Sequence, residues 1–293
     1  MSTPFRGSYV ALPTPFRDGE VDFDALDRLV EFHVGKSDGL VVCGTSGESA
    51  TLNDYERRSV IEAVVERSDG RLPVIAGVGT NATRSTIDLA GFAQAAGADG
   101  LLVVTPYYNK PTQRGLFAHF AELAESVEAP IVLYNVPSRT GVDLKPETVA
   151  ALRTEYANIV AIKEASGSIG RAKELAASSD IALIAGEDAL IADFVALGGA
   201  GVIGVVNNVV PAKVRELVRL AVPEGGNHLR AAMLVEEIAP LAKDLFVETN
   251  PVPVKAALAM LRKCGDEVRL PLAPLADASR AKLESTLRAC KLL

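Results

Sequence analysis

Cysteine, histidine and runs of like charge are all scarce in this chain, and each scarcity removes a class of function. Three cysteines, Cys43, Cys264 and Cys290, lie far apart among 293 residues. An odd count without metal-ligand spacing rules out a disulfide framework and reads as reduced thiols in a cytoplasmic protein. His33 and His119 lie within helical stretches and His228 at the start of the C-terminal tail, so the histidines give neither a zinc set nor the base of a serine triad. Glycine, proline or charge interrupts every apolar stretch within about ten residues, well short of a membrane span. The opening residues, Met1-Ser2-Thr3-Pro4-Phe5-Arg6-Gly7, lack the apolar segment of a signal peptide. The formal charge is −7 and the lysines and arginines are scattered. No basic run is available to neutralise phosphates, which argues against nucleic-acid binding.

What is present suits an α/β protein with a large core. The chain is 48% hydrophobic and 23% charged, with 24 Gly and 16 Pro, enough for one barrel-sized domain or two ordinary ones. Short β-branched runs recur at Ser8–Thr14, Gly39–Gly44, Pro73–Val78, Gly100–Thr105, Pro130–Val136, Ile159–Ala165, Ile181–Gly186 and Gly201–Val206. Apolar residues at helical spacing fill the gaps, as in Leu26–Phe32 and Leu116–Leu123. Near-continuous apolar strands alternating with helices imply a parallel sheet covered by helices. Eight such units over roughly 220 residues predict a closed (β/α)8 TIM barrel rather than an open sheet.

Beyond Pro223 the pattern changes. Leu229–Leu245, Val252–Lys263 and Ala278–Leu292 read as helices with no strand between them. Asn250 before Pro251 reads as a helix cap followed by proline in the first turn. The expected division is a catalytic barrel over residues 1–223 and a C-terminal helical appendage over 224–293, joined at Pro223-Glu224-Gly225-Gly226-Asn227.

In such a barrel the catalytic residues gather at the carboxyl ends of the strands, and the chemically informative residues fall there. Lys163 lies in the apolar run Ile159–Ala165, where burial disfavours the ammonium and favours an amine able to form a Schiff base. The competing reading is a strand-end lysine that reaches solvent or pairs with Glu164. Alternation places Ala161 and Ala165 on the face of Lys163, with Val160, Ile162 and Glu164 toward the helices. Tyr134, on the adjacent strand, suits proton transfer through its phenol, with Thr45 able to link it to a second phenol. Its other reading is a core tyrosine bonded to a backbone carbonyl. Gly44-Thr45-Ser46-Gly47 forms a small-residue loop at the start of the next helical stretch, so its amides can hold a carboxylate; Thr45 and Ser46 also read as simple turn residues. Arg139 offers a fork to a second carboxylate or is an exposed loop arginine. Glu187 and Asp188 read as helix caps rather than a catalytic acid pair.

Two motif matches fail on context. Gly199-Ala200-Gly201-Val202-Ile203-Gly204 fits the dinucleotide pattern but enters a strand instead of leaving one. Gly44-Thr45-Ser46-Gly47-Glu48 resembles a nucleophile elbow but ends in Glu48 where glycine belongs.

From about Tyr9 to the C-terminus the chain resembles the dihydrodipicolinate synthase family, Schiff-base class I aldolases of the N-acetylneuraminate lyase superfamily. The resemblance rests on Gly44–Leu52, Thr105–Pro111, Tyr134–Gly141, Ile162–Ala165 and Asn250–Lys255. It implies that Lys163 forms an imine and then an enamine with pyruvate, which attacks L-aspartate 4-semialdehyde on the route to diaminopimelate and lysine. It implies a proton relay of Tyr134, Thr45 and Tyr108, with Tyr108 supplied by a neighbouring subunit. Thr45 and Ser46 would hold the pyruvate carboxylate, Arg139 the semialdehyde carboxylate, and Gly186 and the Ile203 carbonyl would line the pocket. It also implies a homotetramer built as a dimer of dimers, with no cofactor and no metal.

The chain departs from the common pattern at several positions. Ser46 replaces a threonine and Gly204 replaces a frequent serine. Asp54, Arg57 and Ser85 stand where lysine-inhibited members carry histidines and a glutamate, while Asn81 and Tyr107 are retained; weak or absent lysine inhibition follows. The alternative activities are an N-acetylneuraminate lyase or 2-keto-3-deoxy-sugar-acid aldolase using the same lysine, or a barrel that binds without catalysis.

Overall fold

The computed structural model describes residues 4–293. Met1–Thr3, the first residues of the expected barrel unit and of the opening segment expected to lack a signal peptide, lie outside the described residues. The chain continues into β1 (Gly7–Ala11) and a short antiparallel hairpin of β2 (Phe16–Arg17) and β3 (Glu20–Val21). β4 (Gly39–Val42), β5 (Val74–Gly77), β6 (Gly100–Val104), β7 (Ile131–Asn135), β8 (Ile159–Glu164), β9 (Ala182–Ala185) and β10 (Gly201–Gly204) follow. The helices between and after them are α1 (Phe23–His33), α2 (Asp54–Ser68), α3 (Thr83–Ala95), α4 (Gln113–Ser126), the single turn α5 (Pro137–Thr140), α6 (Pro146–Glu155), α7 (Ile169–Ser178), α8 (Ile191–Ala196) and α9 (Pro211–Leu220). The chain then runs through α10 (His228–Asp244), α11 (Val252–Met260) and α12 (Asp277–Ala289).

Eight strands pair in parallel around a closed ring, β1-β10-β9-β8-β7-β6-β5-β4, with β4 returning to β1. This is the expected (β/α)8 barrel with a C-terminal helical appendage. Closure leaves no sheet edge, and the two faces of every strand are buried for different reasons. Tyr9, Val41, Ile75, Leu102, Val132, Ala161, Ile184 and Ile203 fill the barrel interior. Val10, Leu40, Val42, Val74, Leu101, Val103, Leu133 and Ile162 pack outward against helix residues such as Leu26, Ile61 and Phe120.

The strands are shorter than their apolar runs. Leu12–Thr14, Cys43-Gly44, Thr105, Val136, Ala165 and Gly186 continue the pattern past the last regular strand residues, at the barrel mouth. Hydrophobicity persists there because most of these residues remain buried, and Leu12, Thr105, Ala165 and Gly186 still donate one last bond each to the neighbouring strand, at Val41, Tyr134, Asn135 and Glu164. The β2–β3 hairpin carries its own signal, Asp18-Gly19, and both residues have positive φ, 53° and 84°, as a tight primed turn requires. One facing prediction needs correction. Ile131 pairs with Ile159, but Val132 pairs with Ala161, so Val160 is an extra residue that packs with the barrel interior rather than the helices.

Two buried histidines couple stability to pH. Burial, aided by Lys36 and Lys263, pulls His33 from 6.5 down to about 3, and burial pulls His119 down to about 4. Both rings stay neutral in the fold and take up protons on unfolding, so their contribution is complete above pH 6.5 and is lost as pH falls. Asp188, raised by burial to about 6, acts in the opposite direction over its own window below that value. Urea unfolding followed between pH 6.5 and 4 should show His33→Gln flattening the pH dependence by one proton, about 1.4 kcal/mol per pH unit. An unchanged slope would mean that His33 is protonated in the native state.

Candidate active site

β7, β8 and β9 bring the predicted nucleophile to the mouth. Tyr134 is register-paired with Lys163, and Lys163 with Ile184. Lys163 is 7% exposed, and its Nζ stands 4.5 Å from the centroid of the Tyr134 ring. The Glu164 carboxylate instead accepts from Asn135 Nδ2 at 3.0 Å and the Ser166 amide at 2.6 Å, so the pairing with Lys163 is not made. Among the described residues Lys163 takes part in no ion pair.

A cavity of about 180 Å3 opens over this amine. Thr45, Ser46, Tyr134, Arg139, Lys163 and Gly186 all line it. Gly186 is needed by close approach, since a Cβ there would lie 2.6 Å from the Ala165 Cβ and 2.9 Å from the Glu164 carbonyl oxygen. Two further predicted residues are not among those that line the cavity within this chain. Ile203 is 1% exposed within the barrel interior, and Val205 takes the wall position instead. Tyr108 is 89% exposed, with φ of 72°, and stands outside the cavity of its own chain.

The loop after β4 differs from a helix start. Residues 45–51 form a chain of turns instead, closed by Gly47 N to Gly44 O and Glu48 N to Thr45 O, each 3.1 Å. α2 begins only at Asp54, where Asn53 and Glu56 form a capping box. The Thr45 and Ser46 amides donate to no acceptor among the described residues, and both residues line the cavity. No hydrogen bond joins Thr45 to Tyr134 among those residues, nor does the Tyr134 hydroxyl bond a backbone carbonyl.

Asn250 corrects the reading of it as a cap. α11 starts without a side-chain cap, while Asn250 Nδ2 donates to Ser46 Oγ at 3.0 Å and its carbonyl accepts from Arg139 at 3.3 Å. One buried residue thus ties Ser46, of the first candidate carboxylate site, to Arg139, of the second. Glu187 and Asp188 are not caps either. Asp188 accepts from the Val205 amide at 3.0 Å and the Val206 amide at 2.8 Å, fixing the turn after β10. Burial raises Asp188 to about 6 against these two hydrogen bonds. Glu187 has no side-chain cap bond and lines the cavity. Burial raises its carboxyl, and Lys163 and Arg139 draw it back down. Asn250, Glu187 and Phe246 were missed as wall residues; the only signal for them was the polar pair after an apolar strand and the Asn-Pro step.

The decoy motifs behave as context required. The glycine pattern feeds into β10, His33 bonds Ser37, and His119 bonds Thr83. Beside the cavity, a second cleft of about 300 Å3 is lined by Ser49, Arg57, Gly79 and Tyr107. Arg57 donates there to the Gly77 carbonyl at 2.7 Å and the Gly79 carbonyl at 3.4 Å.

A closed parallel barrel presenting a buried, ion-pair-free lysine from its sixth barrel strand at the carboxyl-end mouth defines a Schiff-base lyase of the class I aldolase type. The model of the dihydrodipicolinate synthetase family matches residues 4–290, and the chain belongs to that family. It is 48% identical over 292 residues to a 4-hydroxy-tetrahydrodipicolinate synthase of Citrifermentans bemidjiense, covering 99% of this chain and 100% of that one. A crystal structure of dihydrodipicolinate synthase from Aquifex aeolicus superposes with a TM-score of 0.96 at 47% identity, covering 98% and 99% of the two chains. The chloride-inhibited synthase of Acinetobacter baumannii, complexed with pyruvate, gives 0.95 at 41% identity, covering 98% and 99%.

Gly186→Ala should lower the unfolding free energy by about 1–3 kcal/mol, the usual cost of overpacking. Thermal unfolding checks this, and an unchanged midpoint would show that the strand ends beside Lys163 yield freely.

Proposed function

We propose that this cavity condenses pyruvate with L-aspartate 4-semialdehyde through a Schiff base on Lys163, giving 4-hydroxy-tetrahydrodipicolinate for diaminopimelate and lysine biosynthesis. The observation that carries the reading is the convergence of an ion-pair-free Lys163 with Tyr134, Thr45, Ser46 and Arg139 on one small cavity. Lys163 Nζ attacks the 2-oxo carbon and water leaves, giving the imine. Loss of a methyl proton then gives the enamine, the carbon nucleophile that adds to the aldehyde, whose oxygen takes up a proton. The amino group of the adduct then displaces Lys163 Nζ at the imine carbon, closing the ring and freeing the lysine. Tyr134 stands beside the amine and serves as the proton carrier, with Thr45 and a partner subunit's phenol completing the relay.

Thr45 and Ser46 hold the pyruvate carboxylate with hydroxyls and free amides. Arg139, at the rim and steadied by Asn250, takes the carboxylate of the semialdehyde. Gly186 leaves space beside the imine, and Ile203 supports the barrel floor beneath it. A carboxylate-reading arginine favours this acceptor over the hydroxylated acceptors of sugar-acid aldolases. The exposed Tyr108 supports an assembly in which it enters a neighbouring site, a homotetramer of two dimers. Residues 1–223 form the catalytic barrel unit and 224–293 the helical unit: the β/α alternation ends at α9, and α10 to α12 follow with no strand between them. Among the described residues no helix is long and apolar enough to cross a membrane, and all three cysteines are free thiols, which supports a place in the cytoplasm. The chemistry draws on side chains alone, without cofactor or metal.

Borohydride reduction with pyruvate, followed by peptide mass analysis, should place the adduct on Lys163; no adduct would sink the Schiff-base assignment. Arg139→Ala should leave that adduct intact while lowering kcat/KM for the semialdehyde about 10–100-fold, the range expected for one charged hydrogen-bonding group. Unchanged turnover would point to a different acceptor. Arg57 places a fixed cation in the second cleft, where lysine-inhibited members carry histidine, so lysine should inhibit weakly or not at all. A submillimolar inhibition constant would refute this.

A further inference from the structure

The appendage sends one buried cation into the loop that carries Thr45 and Ser46. Lys255 lies in the middle of α11 with none of its surface exposed. Its Nζ stands 2.6 Å from Glu48 Oε1, donates to the Thr14 carbonyl at 2.9 Å, and lies 4.2 Å from the Phe16 ring centroid. The second Glu48 oxygen accepts from the Arg269 amide at 3.1 Å. Glu48 itself is held at φ of 51°, a sparsely populated conformation for a side-chain-bearing residue. Thr14 Oγ1 donates to the Gly47 carbonyl at 2.7 Å. The two residues directly after Ser46 are therefore fastened both to the segment leaving β1 and to the appendage. None of Lys255, Glu48 and Thr14 lines the 180 Å3 cavity.

A buried ion pair is a weak source of net stability, because desolvation offsets most of the attraction. It does specify geometry, since each partner must meet the other at hydrogen-bond distance. Here both Glu48 oxygens are engaged, the chain is held in a strained turn, and Glu48 is two and three positions from Ser46 and Thr45.

We propose that the Lys255–Glu48 ion pair, with Thr14, is a positioning device that sets the Thr45–Ser46 loop over Lys163, so that the appendage governs capture of the 2-oxo acid without touching it. This rests on the reading of Thr45 and Ser46 as the carboxylate site. Lys255 and Glu48 are positioning residues rather than catalytic ones.

The test measures the pyruvate concentration that half-saturates borohydride trapping, and separately the semialdehyde KM at saturating pyruvate. Glu48→Gln/Lys255→Met removes both charges together and leaves no unpaired ion. It should raise the pyruvate value at least about tenfold while the semialdehyde KM stays within about twofold. Thr14→Val, nearly isosteric, should raise the pyruvate value about threefold in the same pattern. If the double variant fails to fold, as circular dichroism would show, Thr14→Val decides alone. Folded variants with unchanged pyruvate values, or with both constants rising by the same factor, overturn the inference. Thr45→Val serves as the control for the underlying reading. If it too leaves the pyruvate value unchanged, the carboxylate assignment fails and takes the inference with it; if it alone raises the value, only the positioning role is lost.

Discussion

The direction in which Lys163 points is set by an extra residue earlier in its strand. At β7–β8 the ladder steps from Ile131–Ile159 to Val132–Ala161, leaving Val160 unpaired. Side chains in a strand alternate with a period of two, so one inserted residue reverses the facing of everything beyond it. After the bulge Ala161 faces the barrel interior and Ile162 the helices, while Lys163 meets the cavity and Glu164 bonds Asn135. Ala165, on the same face as Lys163, is small enough to leave room for the cavity it lines. Closure of the eight-stranded ring then fixes Tyr134 beside Lys163 and brings the loop after β4 across the mouth from them.

The cavity is polar by arrangement rather than by composition. Two basic side chains, Lys163 and Arg139, share its wall with one carboxylate, Glu187, whose protonation responds to both. Asn250 reaches from the start of the appendage to Ser46 and Arg139, and Lys255 reaches from the same segment to Glu48. Arg269 adds a bidentate contact to Glu56 of α2 and lies over Phe16. The appendage is thereby joined to the barrel through the loop that offers the free Thr45 and Ser46 amides. On the proposed reading, recognition of both carboxylates depends on residues outside the β/α repeats.

The fold was legible because eight apolar runs at regular spacing admit few parallel architectures, and because helices between them show their apolar faces. Strand ends were not legible. Val136, Ala165 and Gly186 lie past the regular strands, and a pattern of hydrophobicity does not show where regular pairing gives way to a single last bond, as it does at Ala165 and Gly186. Six candidate site residues, Thr45, Ser46, Tyr134, Arg139, Lys163 and Gly186, converge on the cavity, since barrel topology sends strand ends to one rim.

The sequence by itself determined the alternation, the barrel, the lysine in an apolar strand and the family to which the chain belongs. Only the tertiary structure decided that Val160 bulges, that Ile203 sits below the wall, and that Asn250 bridges Ser46 and Arg139 instead of capping α11. It alone paired Lys255 with Glu48 across 207 positions of chain. The reason is physical: local pattern reports which side chains avoid water, while partners distant in sequence are chosen by packing and by the need of buried polar groups for one another.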